Sequence, residues 1–205
     1  MSRRSISSSS FFGDKRTETL PNASAEPITF RTLKPLDYRA FRAIRLDALG
    51  GKDARYFGAS YEAEAAQSSS AWRERCRPTR DKALFGAFLH GRIVGVMAAT
   101  KSQAHENTVL WGSVYLQPRY RLQHVAEKLY RMRQEWSEAG GQFTRAIFFI
   151  REGNERSAAI HIKNGARITH REEMTFADHS RATALWFEKK LRMASAVALP
   201  RLQRA

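Results

Sequence analysis

Val114-Tyr115-Leu116-Gln117-Pro118-Arg119-Tyr120-Arg121-Leu122-Gln123-His124-Val125-Ala126-Glu127-Lys128-Leu129-Tyr130 is the stretch whose reading decides the fold. The apolar run from Val109 to Leu116 reads as a strand, and Pro118, which has no N–H for a ladder, closes it. Behind it, Arg119 and Arg121 lead into Leu122 to Ala139, where apolar residues recur at helical spacing until Gly140-Gly141 ends the pattern. A strand that hands an arginine-rich turn to a helix N-terminus brings positive charge and unsatisfied backbone N–H groups together. That combination suits a pyrophosphate.

Toward the N-terminus, Ala83 to Leu89 and Ile93 to Thr100 are apolar strands joined by His90-Gly91-Arg92, a hairpin. Ile28 to Leu33 alternates as a short strand. Leu36 to Leu49 places Phe41, Ile44, Leu46 and Leu49 near helical spacing, and Gly50-Gly51 stops it. Tyr61 to Arg77 reads as one further helix, stopped by Pro78. Toward the C-terminus, Phe143 to Ile150 is a buried strand and Asn154 to Lys163 a short helix closed at Asn164-Gly165. Ala166 to Phe176 and Ala182 to Lys190 form a last antiparallel pair. The order is strand, two helices, three strands, helix, strand, helix, two strands.

The chain of 205 residues, 42% hydrophobic, suits one compact α/β (α+β) domain. Residues 28–192 carry the periodic patterns. Residues 1–27, rich in serine, read as a disordered tail without the apolar core of an export signal, and 193–205 as a C-terminal tail. No run reaches the length of a membrane span. Cys76 is the only cysteine, which excludes an internal disulfide and fits a reducing cytoplasm. The histidines are scattered rather than set at ligand spacing, so no metal site is expected. A formal charge of +15 attracts any polyanion, nucleic acid included, but its arginines are spread along the chain rather than gathered in a nucleic-acid motif.

The stretch Arg121-Leu122-Gln123-His124-Val125-Ala126, with this order of elements, resembles the GNAT superfamily of N-acetyltransferases from Ile28 to Leu191. That family reads Arg-x-x-Gly-x-Gly/Ala; Arg121 and Ala126 match, and His124 stands at the central glycine. A second match is Asn154-Glu155-Arg156-Ser157-Ala158-Ala159-Ile160-His161-Ile162-Lys163-Asn164-Gly165-Ala166, where the family has Asn, a helix, Tyr and a Lys-x-Gly-Phe-like ending. The resemblance implies a mixed sheet of about seven strands flanked by about four helices, with splayed strands holding acetyl-CoA. Val114, Tyr115 and Leu116 would hold pantetheine and acetyl. Arg121 and the backbone of Leu122, Gln123, His124, Val125 and Ala126 would cradle the pyrophosphate. Asn154 would lie by the pantetheine arm, although it equally suits a helix N-cap.

His161 takes the place of the tyrosine that protonates the departing thiolate, and as a partly charged imidazolium near neutrality it would do so. Tyr115 and Tyr130 are competing hydroxyl donors. A Cβ at 124 competes with phosphate for space unless the imidazole turns outward or itself donates to the phosphate. Trp111, Gly112 and Ser113 offer no carboxylate base, which leaves Glu106, His105 or Glu62 acting through water. The acceptor implied is a primary amine of a small molecule, peptide or protein, and a homodimer is the assembly the resemblance suggests. Two other readings share the fold: a non-catalytic acyl-CoA-binding module, and an RNA-directed, toxin-like acetyltransferase acting on charged tRNA, whose sole support is the positive charge.

Overall fold

A computed structural model of the chain describes residues 27–121 and 124–192. The expectations for the two tails, and for Leu122 and Gln123, otherwise lie outside the described residues. Seven strands form one sheet: β1 (Thr29–Thr32), β2 (Lys82–Leu89), β3 (Arg92–Lys101), β4 (Thr108–Leu116), β5 (Arg145–Arg151), β6 (Arg167–Thr175) and β7 (Arg181–Lys190). Their order across the sheet is β1-β2-β3-β4-β5-β7-β6. Every neighbouring pair is antiparallel except β4 with β5, because the connection between those two carries a helix, α4 (Val125–Ala139). The expected mixed sheet is therefore present.

The helices cover both faces. On one, α1 (Tyr38–Gly50) and α3 (Ser69–Arg75) pack Phe41, Ile44 and Trp72 against Leu84, Val96 and Tyr115. On the other, α4 sets Val125, Leu129 and Tyr130 against Val94, Val109 and Trp111, and α5 (Glu155–Lys163) contributes Ala158 and Ile160 to the same cluster. Gly95 on β3 sits where the second face is tightest: a Cβ there would meet Leu116 Cδ1 at 2.7 Å and Leu129 Cδ1 at 3.3 Å.

One expectation is corrected. The helix anticipated from Tyr61 to Arg77 is two helices, α2 (Tyr61–Ala65) and α3. Ser60 accepts from the Ala63 N–H at 3.2 Å, and Ser68 starts a new helix by accepting from the Ala71 N–H at 3.2 Å. An inner serine thus acts as a cap. Glu64 on α2 binds both Arg45 of α1 and Arg75 of α3, which ties the three helices together. With this division five α-helices are present among the described residues, one more than expected.

Candidate active site

The sheet opens between its two parallel strands. β4 pairs with β5 only through Thr108, Val109 and Leu110 against Arg145, Ala146 and Ile147. Beyond them β4 follows β3 as far as Leu116, and β5 follows β7 as far as Arg151. Trp111 to Leu116 and Phe148 to Arg151 therefore lack ladder partners on the facing strand, and the gap leaves backbone polar groups available to a ligand. Leu110 and Val114 stay exposed although β4 is central, and a Cβ at Gly112 would meet nothing within 4 Å. Open space runs beside the strand.

A bulge aims the side chains. Between the pairs Ala98↔Gly112 and Val96↔Tyr115, Met97 alone opposes both Ser113 and Val114, and Ser113 has φ 49°. Residues 111 and 115 would share a face in a regular strand. Here the extra residue sends Trp111 toward α4 and Tyr115 toward α1.

On the α1 side the Tyr115 hydroxyl donates to Asp47 Oδ2 at 2.9 Å, and its ring meets Phe57 edge-on at 6.4 Å. Burial, followed by the hydrogen bond to Asp47 and that carboxylate's charge, pushes the phenol above its ordinary range. Asp47 and Tyr115 border a cleft of about 650 Å³, together with Lys52, Asp53, Arg119 and Arg121. Arg121 Nε donates to the Leu116 carbonyl at 3.0 Å, and its guanidinium pairs with Asp53. Arg121 is thus fixed between the strand end and the loop after α1.

The helix following the strand begins at Val125, not Leu122. His124 precedes it in the left-handed region, φ 57°, a conformation that glycine adopts without strain. Its side chain is 87% exposed and Nδ1 lies 2.8 Å from Glu127 Oε2. Of the two outcomes left open by the sequence, the imidazole takes the outward one. Val125 is buried in the core, so it has only its backbone N–H to offer a ligand, and Ala126 packs partly against the same core.

His161 and Asn154 lie on α5 and at its start. Asn154 caps the helix, accepting from the Ser157 N–H at 3.4 Å. His161 is packed in an aromatic pocket, 4.1 Å from Phe148, 5.4 Å from Tyr130 and 6.5 Å from Trp111, ring centre to ring centre. Burial first, then the charges of Arg133 and Lys189, push its pKa down to about 3. The partly charged imidazolium expected here is therefore corrected: burial holds this ring neutral at neutral pH. Arg133, on α4, has no exposure, and its guanidinium lies 4.2 Å above the Trp111 ring with none of its nitrogens hydrogen-bonded among the described residues.

A strand pair that parts halfway, a bulge at the parting and a helix starting beyond the strand's proline together frame the site. Residues 46–166 match the model of the acetyltransferase (GNAT) family. The chain belongs to that family. A GNAT-family acetyltransferase from Streptococcus pneumoniae has the same fold, with a TM-score of 0.69 at 16% identity over 81% of this chain and 100% of that one. So has a putative acetyltransferase from Salmonella typhimurium solved with its cofactor acetyl-CoA, with a TM-score of 0.65 at 15% identity over 83% and 97%. The ribosomal-protein-S18-alanine N-acetyltransferase from Escherichia coli gives 0.61 at 14% identity over 84% and 99%. Among curated protein sequences none matches significantly.

Within this GNAT domain the proposed bases fall away from the cleft. His105 and Glu106 lie in the turn before β4, eight residues or more from Tyr115 along a strand rising about 3.3 Å per residue. Glu62 is exposed on α2 and does not border the cleft. The carboxylates that do border it, Asp47 in the last turn of α1 and Asp53 just beyond that helix, were missed because neither carries a local motif. No described helix is long and apolar enough to cross a membrane.

Proposed function

We propose that this chain is an acetyl-CoA-dependent N-acetyltransferase acting on a primary amine. The observation that carries the reading is the unpaired half of β4, which runs directly to Arg121 and the N-terminus of α4. Family membership and the exposed Leu110 and Val114 beside open space at Gly112 support it.

In this reading the backbone of Val114, Tyr115 and Leu116 takes pantetheine and acetyl. Arg121 and the backbone N–H groups of residues 122–126 take the pyrophosphate, where helix-end donors and charge favour anions. Asn154 stands by the pantetheine arm while capping α5. Bound acetyl-CoA supplies an acetyl thioester. Strand N–H groups turned into the gap are placed to meet negative charge developing on a carbonyl oxygen. Tyr115 supplies the proton that the thiolate requires. His161, neutral in its aromatic pocket, is the second candidate and would act only as a neutral donor.

Acetyl-CoA at a hundred times its Kd should raise stability by about 2.7 kcal/mol, or roughly 5–11 °C in Tm. Arg121→Ala should weaken coenzyme A binding about tenfold and lower kcat at saturating cofactor much less. No thermal shift at millimolar acetyl-CoA refutes the assignment. Binding without thiol release for any amine favours the non-catalytic acyl-CoA-binding alternative.

A further inference from the structure

We infer that Asp47 is the carboxylate that receives the acceptor's ammonium group, which makes the acceptors of this site cationic alkylamines. The inference rests on the reading above, since it assumes that the cations at the strand end serve the cofactor.

Asp47 lies in the last turn of α1, a helix with no basic residue in that turn. An acidic group near a helix C-terminus is disfavoured by the helix dipole, so helix stability gives no reason for it to be there. It is exposed to the cleft and tied by Oδ2 to the hydroxyl of Tyr115, which is itself buried. A carboxylate held in place in this way is oriented before any ligand arrives.

Three cations and two carboxylates line the cleft. Lys52, Arg119 and Arg121 lie with Asp53, whose carboxylate already pairs with Arg121. Phosphates bound to this group offset its positive charge, and Asp47 is then the carboxylate facing the remaining space. An alkylammonium meets it favourably, whereas an amine that also carries a carboxylate is repelled. Once seated, the ammonium gives one N–H proton to Asp47: an O–H bond forms, an N–H bond breaks, and the nitrogen lone pair becomes free for attack. The Tyr115 hydroxyl marks where the two reactants meet.

The test is calorimetric and uses the full chain saturated with coenzyme A, so that no turnover is involved. 1,4-Diaminobutane should bind at least ten times more tightly than 4-aminobutanoate. Asp47→Asn keeps an oxygen that accepts from Tyr115, and it should lose tenfold or more in diamine affinity while coenzyme A affinity stays within twofold. Asp47→Glu, which restores the charge, should recover part of the loss, a pattern that a merely structural role would not produce. Equal diamine binding by Asp47→Asn, or no preference for the diamine in the parent protein, overturns the inference and leaves the acetyltransferase reading standing. Failure of coenzyme A itself to bind overturns both.

Discussion

Replacing Arg133 with methionine should stabilise the protein. The guanidinium has no exposure, and its three nitrogens lack hydrogen-bond partners among the described residues. Burial pushes its pKa from 12.5 down to about 9. That change corresponds to a penalty on the charged form of roughly 5 kcal/mol. Stacking over Trp111 at 4.2 Å and Tyr130 at 5.3 Å returns about 2 kcal/mol. Methionine keeps an unbranched stem against both rings and has nothing to desolvate. A net gain of about 1–4 kcal/mol follows, in line with other exchanges of buried charge for apolar side chains. For a domain of this size it amounts to about 2–4 °C in Tm per kcal/mol. The sign with pH is fixed by the depressed pKa: the penalty is present in full at pH 7, below both folded and unfolded values, and fades only as pH rises past 9. Thermal unfolding of parent and variant between pH 6 and 10 measures this. A Tm several degrees lower in the variant would show that the guanidinium is paired in solution, and the reasoning would fail.

His161 makes a linkage of the same sign in the acid range. Its folded pKa of about 3 lies below the unfolded value of 6.5, so stability present above 6.5 is lost as pH falls toward 3. His161→Phe should remove that loss, worth roughly 2 kcal/mol between pH 6.5 and 4.5; identical pH dependence of the urea midpoints would refute it. His124→Gly should relieve the left-handed strain of about 1 kcal/mol, partly offset by loss of the exposed contact with Glu127, for a Tm rise of about 2 °C. A lower Tm in a scanning fluorimetry series would show that the imidazole contributes more than its exposure implies.

The strands and the long helix were legible because periodicity is local: apolar runs closed by Pro118, Gly91 or Gly140-Gly141 need no knowledge of their neighbours. The division at Ser68 carried a signal, a cap residue within the helical stretch, that the overall periodicity masked. Arg133 also left a trace, since it falls on the inward stripe with Val125, Leu129 and Tyr130, where a charge is out of place. The cleft was not legible in this way. Asp47 and Tyr115 meet across 68 residues of chain, and nothing in either segment refers to the other. The bulge at Ser113 escaped because a serine with positive φ is held there by its surroundings rather than by preference.

That bulge makes residue number in β4 a functional quantity. Tyr115 points toward α1 only because two residues answer Met97, so the strand carries an odd extra position between Trp111 and the hydroxyl. At this chain length the bulge acts as a switch with two settings. A regular pairing of the same residues would turn the phenol over to the α4 side even if every side chain named in the site were preserved, and removal of one residue between Gly112 and Val114 would then be needed to bring it back. Relatives aligned to this chain by residue identity alone, without a gap in that strand but also without the bulge, would be matched in letters while presenting a different chemical group to the cleft.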